Sequence, residues 1–331
     1  MSGTVLVQGA DDGADPFDTA RLRRGVLDAW AASPARFRED ANAEEDLALG
    51  GYRDRLVVEL AQNAADAAAR AGVPGRLRLT LRGKVLVAAN TGAPLDAAGV
   101  ESLSTLRASA KRDDETPGAP ETPGAPGGPQ AGPVGRFGVG FAAVLAVSDE
   151  PAIVCRTGGA RWSLAEAREM AAEAAAHNPG LADELRRREG HVPLLRLPMP
   201  AQGTAPQGYD TAVVLPLRDG AAEELAARLL TAVDDALLLT LPGLTEVVIE
   251  TDGGVRTLTR RQDGAYVVVE DSGTAGAGGE GATRWRVAAD AGRTDPALLA
   301  DRPVEERRRP YWSVTWAVPV DADGAPTPAR T

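Results

Sequence analysis

The sequence predicts an α+β protein, and three observations carry that prediction. A long alanine-rich helical run extends from about Arg53 to Ala71, short β-periodic runs follow it around glycines, and beyond Gly220 a helical stretch again gives way to strands. At 331 residues and roughly 150 residues per domain, the chain has room for about two cores. We divide it into an N-terminal helical arm over 1–49, a main domain over 50–219 and a smaller α+β unit over 220–331.

Taken in order, Asp18 to Ala48 reads as helix with a break at Ser33-Pro34. Gly50-Gly51 punctuates the chain before the helix of Arg53 to Ala71, which Gly72 and Pro74 terminate. Strands are expected at Arg76 to Leu81 and Lys84 to Ala89, closed by the turn Asn90-Thr91-Gly92. Asp96 is placed to cap a helix through about Ala108. The repeated Thr-Pro-Gly-Ala-Pro of Thr116 to Pro126 marks about 112–134 as a segment too poor in apolar residues to pack. A glycine loop and an apolar helix to Val147 come next, then a strand from Ala152 to Arg156 and helices at Leu164 to Ala176 and Leu181 to Arg188. Strands at Leu194 to Leu197 and Thr211 to Leu217 complete the main domain. One long helix, Ala221 to Leu239, opens the last unit, whose strands centre on Val247, Val267, Trp285 and Trp312.

A net charge of -11 argues against nucleic-acid or anionic-membrane binding, because phosphate neutralisation needs clustered cations and the basic runs at Arg21, Arg186 and Arg307 are short. Those runs read as solvated faces. The single cysteine, Cys155, excludes an internal disulfide and reads as a buried strand thiol. No basic start with an apolar run and no membrane-length stretch is present, so the expected location is cytoplasmic. His177 and His191 lack metal-ligand spacing and read as surface residues, whereas Trp285, Trp312 and Trp316 read as core.

At 100° per residue, Glu59, Asn63 and Asp66 fall within about 60° of one another, on one narrow face of an otherwise apolar helix. Buried carboxylates without partners cost several kcal/mol, so the stripe should meet water, a cation or a ligand; a solvent-facing amphipathic stripe is the alternative. The loop Gly135-Arg136-Phe137-Gly138-Val139-Gly140-Phe141 leads into the expected apolar helix, which would bring backbone N–H groups and a positive dipole end to an anion. A tight turn is the alternative reading, and no Gly-Lys-Ser or Gly-Lys-Thr phosphate loop occurs.

Together these segments resemble the GHKL ATPases, named for gyrase, heat-shock protein 90, histidine kinase and MutL. Glu59 to Ala67 looks like the first box of that superfamily, Asn90-Thr91-Gly92 the second, Gly135 to Phe141 the third, and Asp210 to Leu215 the closing strand. Within the superfamily, Phe137 and Phe141 look like heat-shock protein 90, while Gln62-Asn63, Ser109-Ala110-Lys111 and Ser148-Asp149-Glu150-Pro151 look like the sacsin-type branch. The resemblance covers about 50–220 and implies a Bergerat two-layer α/β sandwich with a mixed sheet, binding ATP and Mg²⁺.

The resemblance implies Glu59 as general base toward the attacking water and Asn63 as the Mg²⁺ ligand, with Asp66 in support. Asn90 stands where relatives keep an aspartate that accepts from the adenine amino group, and its side-chain oxygen can accept that bond. Gly92 would let the backbone approach the base, Thr211 would support the adenine end, and Lys111 would screen phosphate charge. Gly135, Arg136, Phe137, Gly138, Val139, Gly140 and Phe141 would cradle the phosphates. The chain departs from the pattern where Gly92-Ala93-Pro94-Leu95 lacks a second glycine and where the lid, about 112–134, is a Pro/Gly repeat. Arg260 and Arg261 are candidates to reach the γ-phosphate from the last unit. The implied activity is slow, chaperone-type ATP hydrolysis with lid closure, a protein client and a nucleotide-dependent dimer, without nucleic acid or membrane. The alternative is an ATP-gated interaction module without turnover.

Overall fold

In the computed structural model the strand-forming segments join into one mixed sheet. The structure describes residues 7–9, 15–50, 53–105, 140–274, 281–302, 307 and 310–328. The lid segment, Ser109 to Lys111 and the loop residues Gly135 to Val139 lie outside them.

The strands are β1 (Gln8–Gly9), β2 (Gly75–Arg82), β3 (Val85–Asn90), β4 (Ala152–Cys155), β5 (Gly158–Arg161), β6 (Met199–Gln202) and β7 (Thr211–Pro216), followed by β8 (Leu244–Thr251), β9 (Gly254–Asp263), β10 (Tyr266–Asp271), β11 (Ala282–Arg293) and β12 (Tyr311–Val320). Their spatial order is β1-β6-β5-β4-β7-β3-β2-β8-β9-β10-β11-β12. Neighbours pair antiparallel except β2 and β8, which run parallel. That parallel pair carries the sheet from the main segment into the strands of 220–331.

Helices pack on one face. They are α1 (Thr19–Ala32), α2 (Pro34–Leu49), α3 (Leu56–Ala71), α4 (Ala97–Thr105), α5 (Leu164–Ala175), α6 (Pro179–Arg187), α7 (Gly220–Thr231) and α8 (Asp235–Thr240). Strand β2 shows how the pleat sorts its residues: Leu77, Leu79 and Leu81 join the core, while Arg76, Arg78 and Arg82 turn to the opposite face. There they pair with Glu246 and Glu250 of β8, one step along the sheet. Alanine-rich α3 has few helix-opposing residues and ends where Gly72 adopts φ 65, closing on the carbonyls of Ala68 and Ala69.

The N-terminal helices are built into the core. Trp30 of α1 and Phe37 of α2 are fully buried and meet edge to face at 5.1 Å. Pro34 at the first turn of α2 makes the break that the sequence predicts.

Five expectations differ from the structure. The expected long helix Ala221 to Leu239 is two helices, because the Asp234 carboxylate accepts from Ala236 N–H and starts a new helix there. The expected strand Leu194 to Leu197 is a 3-10 turn, Leu194–Arg196, whose free N–H groups are taken by the buried Glu44 carboxylate. The segment after the glycine loop, Gly140–Ala146, is 3-10 rather than α-helical, so the α-helix dipole expected behind that loop is not formed. Trp312 and Trp316 are exposed by 41% and 70% instead of lying in the core, because the last α-helix, α8, packs on β8, β9 and β10, and β12 lies beyond them at the end of the sheet. Asp96 does cap α4, through Gly99 N–H at 2.7 Å, and Cys155 is buried on β4. His177 and His191 are exposed, as expected, but Arg188 is not a solvated run member, being largely covered and bound to Glu45 at 2.8 Å. No helix among the described residues is long and apolar enough to cross a membrane.

Candidate functional site

Sheet register brings together residues that lie far apart in the sequence. Leu77 pairs with Asn90, Asn90 with Thr211, and Thr211 with Cys155, so four adjacent strands place these residues in one row. Since Leu77 faces the core on the helical side, Asn90, Thr211 and Cys155 face that side too. Asn90 and Thr211 are buried. The Asn90 amide nitrogen donates to Thr91 O at 3.1 Å, which leaves its side-chain oxygen uncommitted among the described residues. Thr211 Oγ1 is buried without a hydrogen-bond partner there.

The turn after β3 sits on α3. Gly92 has φ 127, and a Cβ at this position would overlap the backbone of Ala67 and Ala68. Ala93 N–H donates to Ala67 O at 2.9 Å, and Gly92 N–H donates to the Asp210 carboxylate at 2.9 Å. Asp210 N–H in turn donates to Asn90 O at 2.9 Å, and Arg156 approaches its carboxylate at 3.6 Å. Asp210 therefore ties the turn to the start of β7.

Helix α3 contributes Glu59, Asn63 and Asp66. Glu59 and Asp66 are buried, at 8% and 6% exposure, whereas Asn63 between them is exposed. The narrow stripe is thus covered at both ends and open in the middle. Glu59 is covered in part by Gly140, where an added Cβ would run into the Glu59 carboxylate. Burial pushes the Glu59 pKa above its ordinary value of 4.5, and Arg55, one turn earlier at 3.6 Å, opposes that shift. A carboxylate in this setting is a stronger base than one in water. Phe141, next to Gly140, is buried against Trp162 at 5.5 Å, so its ring belongs to the core.

The structure therefore draws Glu59 and Gly140 into one contact, and Asn90, Gly92 and Thr211 into one neighbourhood beside the last turns of α3. Lys111, Gly135, Arg136, Phe137, Gly138 and Val139 lie outside the described residues. Arg261 is occupied by Glu270 at 3.1 Å and Asp263 at 3.7 Å. Arg260 is on β9, three strand steps from β3, or about 14 Å at the usual spacing. Arg55 joins the site without a sequence expectation, Asp210 is expected only as the start of the closing strand, and Cys155 only as a buried strand thiol. Arg55 was findable, since it lies four residues before Glu59 on one helix face; the other two depend on strand register.

No group of three or more His, Cys, Asp or Glu side chains suited to a metal occurs among the described residues. Magnesium takes few protein ligands, so one amide oxygen with phosphates and water remains a fitting donor set. A scan against protein-family models finds no match for the chain, and a search of the curated proteins finds none either.

Proposed function

We propose that the chain binds Mg-ATP beside α3 and hydrolyses it slowly, on a Bergerat-type sandwich like that of the heat-shock protein 90 and sacsin branches of the GHKL ATPases. The observation that carries this reading is the orphaned Thr211 hydroxyl in register with Asn90. A buried hydroxyl left without a partner costs about 1–3 kcal/mol, and an adenine edge would offer the missing bond. The uncommitted Asn90 oxygen is the complementary acceptor for the adenine amino group. Gly92, pressed on α3, keeps the turn free of a side chain at this point.

On this reading Asn63, exposed between two buried carboxylates, offers its amide oxygen to Mg²⁺. The metal, when bound, would neutralise charge on the β- and γ-phosphates. Glu59 would take the proton from the attacking water, and its raised pKa suits that role. Nucleotide binding would close the lid segment and change how a protein client or a second chain is held. The Arg55–Glu59 ion pair favours a second reading, in which the base is held back and ATP binding gates an interaction without turnover.

Calorimetric titration of Mg-ATP into wild type and Asn63→Ala, with phosphate release followed in the same samples, tests both readings. Binding in wild type that is lost in Asn63→Ala supports the site. Phosphate release that Glu59→Ala abolishes while binding persists selects the ATPase over the gated module. Equal Mg-ATP binding by wild type and Asn63→Ala would falsify the assignment.

A further inference from the structure

The far edge of the sheet carries a surface that the nucleotide site does not use. Strand β12 pairs with β11 on one side. On the other, among the described residues, the chain after it folds back over its end alone, where Val320 bridges Pro326 and Thr327 N–H donates to Pro319 O at 2.9 Å. That bond fixes which backbone groups point outward. Pro319 O faces away from β11, so the alternate residues Ser313, Thr315 and Ala317 also turn their N–H and C=O groups outward. Even-numbered Pro310 faces inward, its carbonyl accepting from Thr294 N–H at 2.6 Å.

The side chains on one face of this edge are Trp312, Val314, Trp316 and Val318, exposed by 41%, 38%, 70% and 43%. No residue from Pro310 to Val320 is charged, in a chain that is 25% charged with a net charge of -11. Natural edge strands are usually protected by lysine, by proline or by a bulge, and Trp312 to Ala317 has no charge and no proline. The sequence Trp312-Ser313-Val314-Thr315-Trp316 is also nearly the same read in either direction about Val314.

We infer that β12 pairs antiparallel with β12 of a second copy of this chain, about a two-fold axis at Val314. In that register Ser313 and Thr315 of opposite copies exchange backbone hydrogen bonds through their outward groups. Val314 meets its own counterpart, and Trp312 meets Trp316 of the other copy, as closely spaced non-hydrogen-bonded pairs on one face. The folded-back tail sets this choice, because a centre displaced to Thr315 or Trp316 would bring the second strand against Pro319, which the tail already covers. A second copy also fits the charge pattern: two acidic chains approach here without opposing like charges. Full cover of the exposed parts of these four side chains in both copies would sum to on the order of 900 Å², and edge pairing, which leaves the open face in water, buries only part of that together with the strand edge, which is the size of a weak, reversible interface. The dimer is therefore a dissociable one, and it forms without nucleotide.

Sedimentation velocity of the nucleotide-free chain across a concentration series tests this. Wild type is expected to reach a dimer at about 100 µM, as suits an interface of this modest size. Thr315→Pro removes an outward N–H that the β11 ladder does not use, and Trp316→Lys places like charges in the contact. Both are expected to stay monomeric with the circular dichroism and melting temperature of wild type. Under mild oxidation Val314→Cys should form a disulfide-linked dimer, since facing residues in such a pair lie about 4.5 Å apart between Cα atoms. Val318→Cys, off the axis, should do so far less, and buried Cys155 should not compete. A wild type that stays monomeric throughout overturns the proposal, whatever covers the edge instead. Equal cross-linking of Val314→Cys and Val318→Cys overturns the register.

Discussion

Gly140 lies so close to Glu59 that a Cβ at position 140 would occupy the space of the Glu59 carboxylate. The obstacle is the end of a flexible side chain rather than backbone, so Gly140→Ala can fold by pushing the carboxylate aside. We expect its melting temperature to stay within a few degrees of wild type, a cost of about 1 kcal/mol or less. On the proposed ATPase reading, a displacement near 1 Å at the general base should lower phosphate release by up to about 10²-fold while ATP affinity changes little. Unchanged turnover in a folded Gly140→Ala protein would remove Glu59 from the reaction.

The acid limb of the same activity should report the environment of Glu59. Burial raises its pKa and Arg55 lowers it, and a base works only when ionised, so turnover should begin to fall at a pH above that of an ordinary carboxylate. Arg55→Gln removes the opposing charge and should move this limb to higher pH, leaving the rate on the plateau nearly unchanged. A pH–rate profile of the two proteins, measured at saturating Mg-ATP, checks it. A shift to lower pH, or none, contradicts the role given to the ion pair.

Local patterns made some of this legible and not the rest. Helix α3, the β2–β3 hairpin around Gly83 and strand β7 follow from periodicity and glycine placement within about 20 residues, and the structure forms all three. The row of Asn90, Thr211 and Cys155 depends on how strands pair across long separations, which no local window contains. Glu44 was one charge in a run of them on α2, yet it binds Leu194 N–H, 150 residues away. Tryptophan content suggested a core over 285–316, but amphipathic alternation cannot distinguish a central strand from an edge, and Trp316 lies on the edge. The departures at Leu194 and Asp234 have a common cause, a carboxylate capturing backbone N–H groups that periodicity assigns elsewhere.

Arg196 is the cation of a buried network that joins α2 to the turn at Leu194 and to α4. Its guanidinium is 5% exposed, lies 3.0 Å from the Asp40 carboxylate and donates to Ser104 O at 2.8 Å, while Asp40 also accepts from Trp30 Nε1 at 3.0 Å. Removing Arg196 takes the buried cation from the Asp40 carboxylate, which keeps, among the described residues, only Trp30 Nε1 and the exposed Arg36 at 3.5 Å, and takes the donor from Ser104 O. Arg196→Ala should therefore cost about 3–5 kcal/mol, against about 0.5 kcal/mol or less for exposed Arg186→Ala. Denaturant midpoints with equal slopes measure both. A loss under about 1 kcal/mol for Arg196→Ala would mean that the network is not holding these elements together.

Glu44, beside that network, should make the fold's stability depend on pH in an unusual direction. Complete burial pushes its pKa up from 4.5 to about 7, even though Leu195 and Leu194 N–H groups and the Arg196 charge all favour the carboxylate; Asp40 adds to the rise. The folded state therefore holds a proton that the unfolded state has released between these two values. Its stabilising contribution is complete below about pH 4.5 and is lost as pH rises through 7, a span of about 3 kcal/mol at most. Glu44→Gln cannot release a proton, so the difference in stability between wild type and variant should shrink as pH rises from 5 to 8. At pH 5 wild type should be clearly ahead, because the amide presents a second donor to one of the leucine N–H groups and loses that bond. Denaturant titrations of both proteins at half-unit intervals isolate this group from every other carboxylate, since the rest of the chain is shared. Parallel stability profiles would show that Glu44 titrates as an ordinary carboxylate and that its pocket admits water.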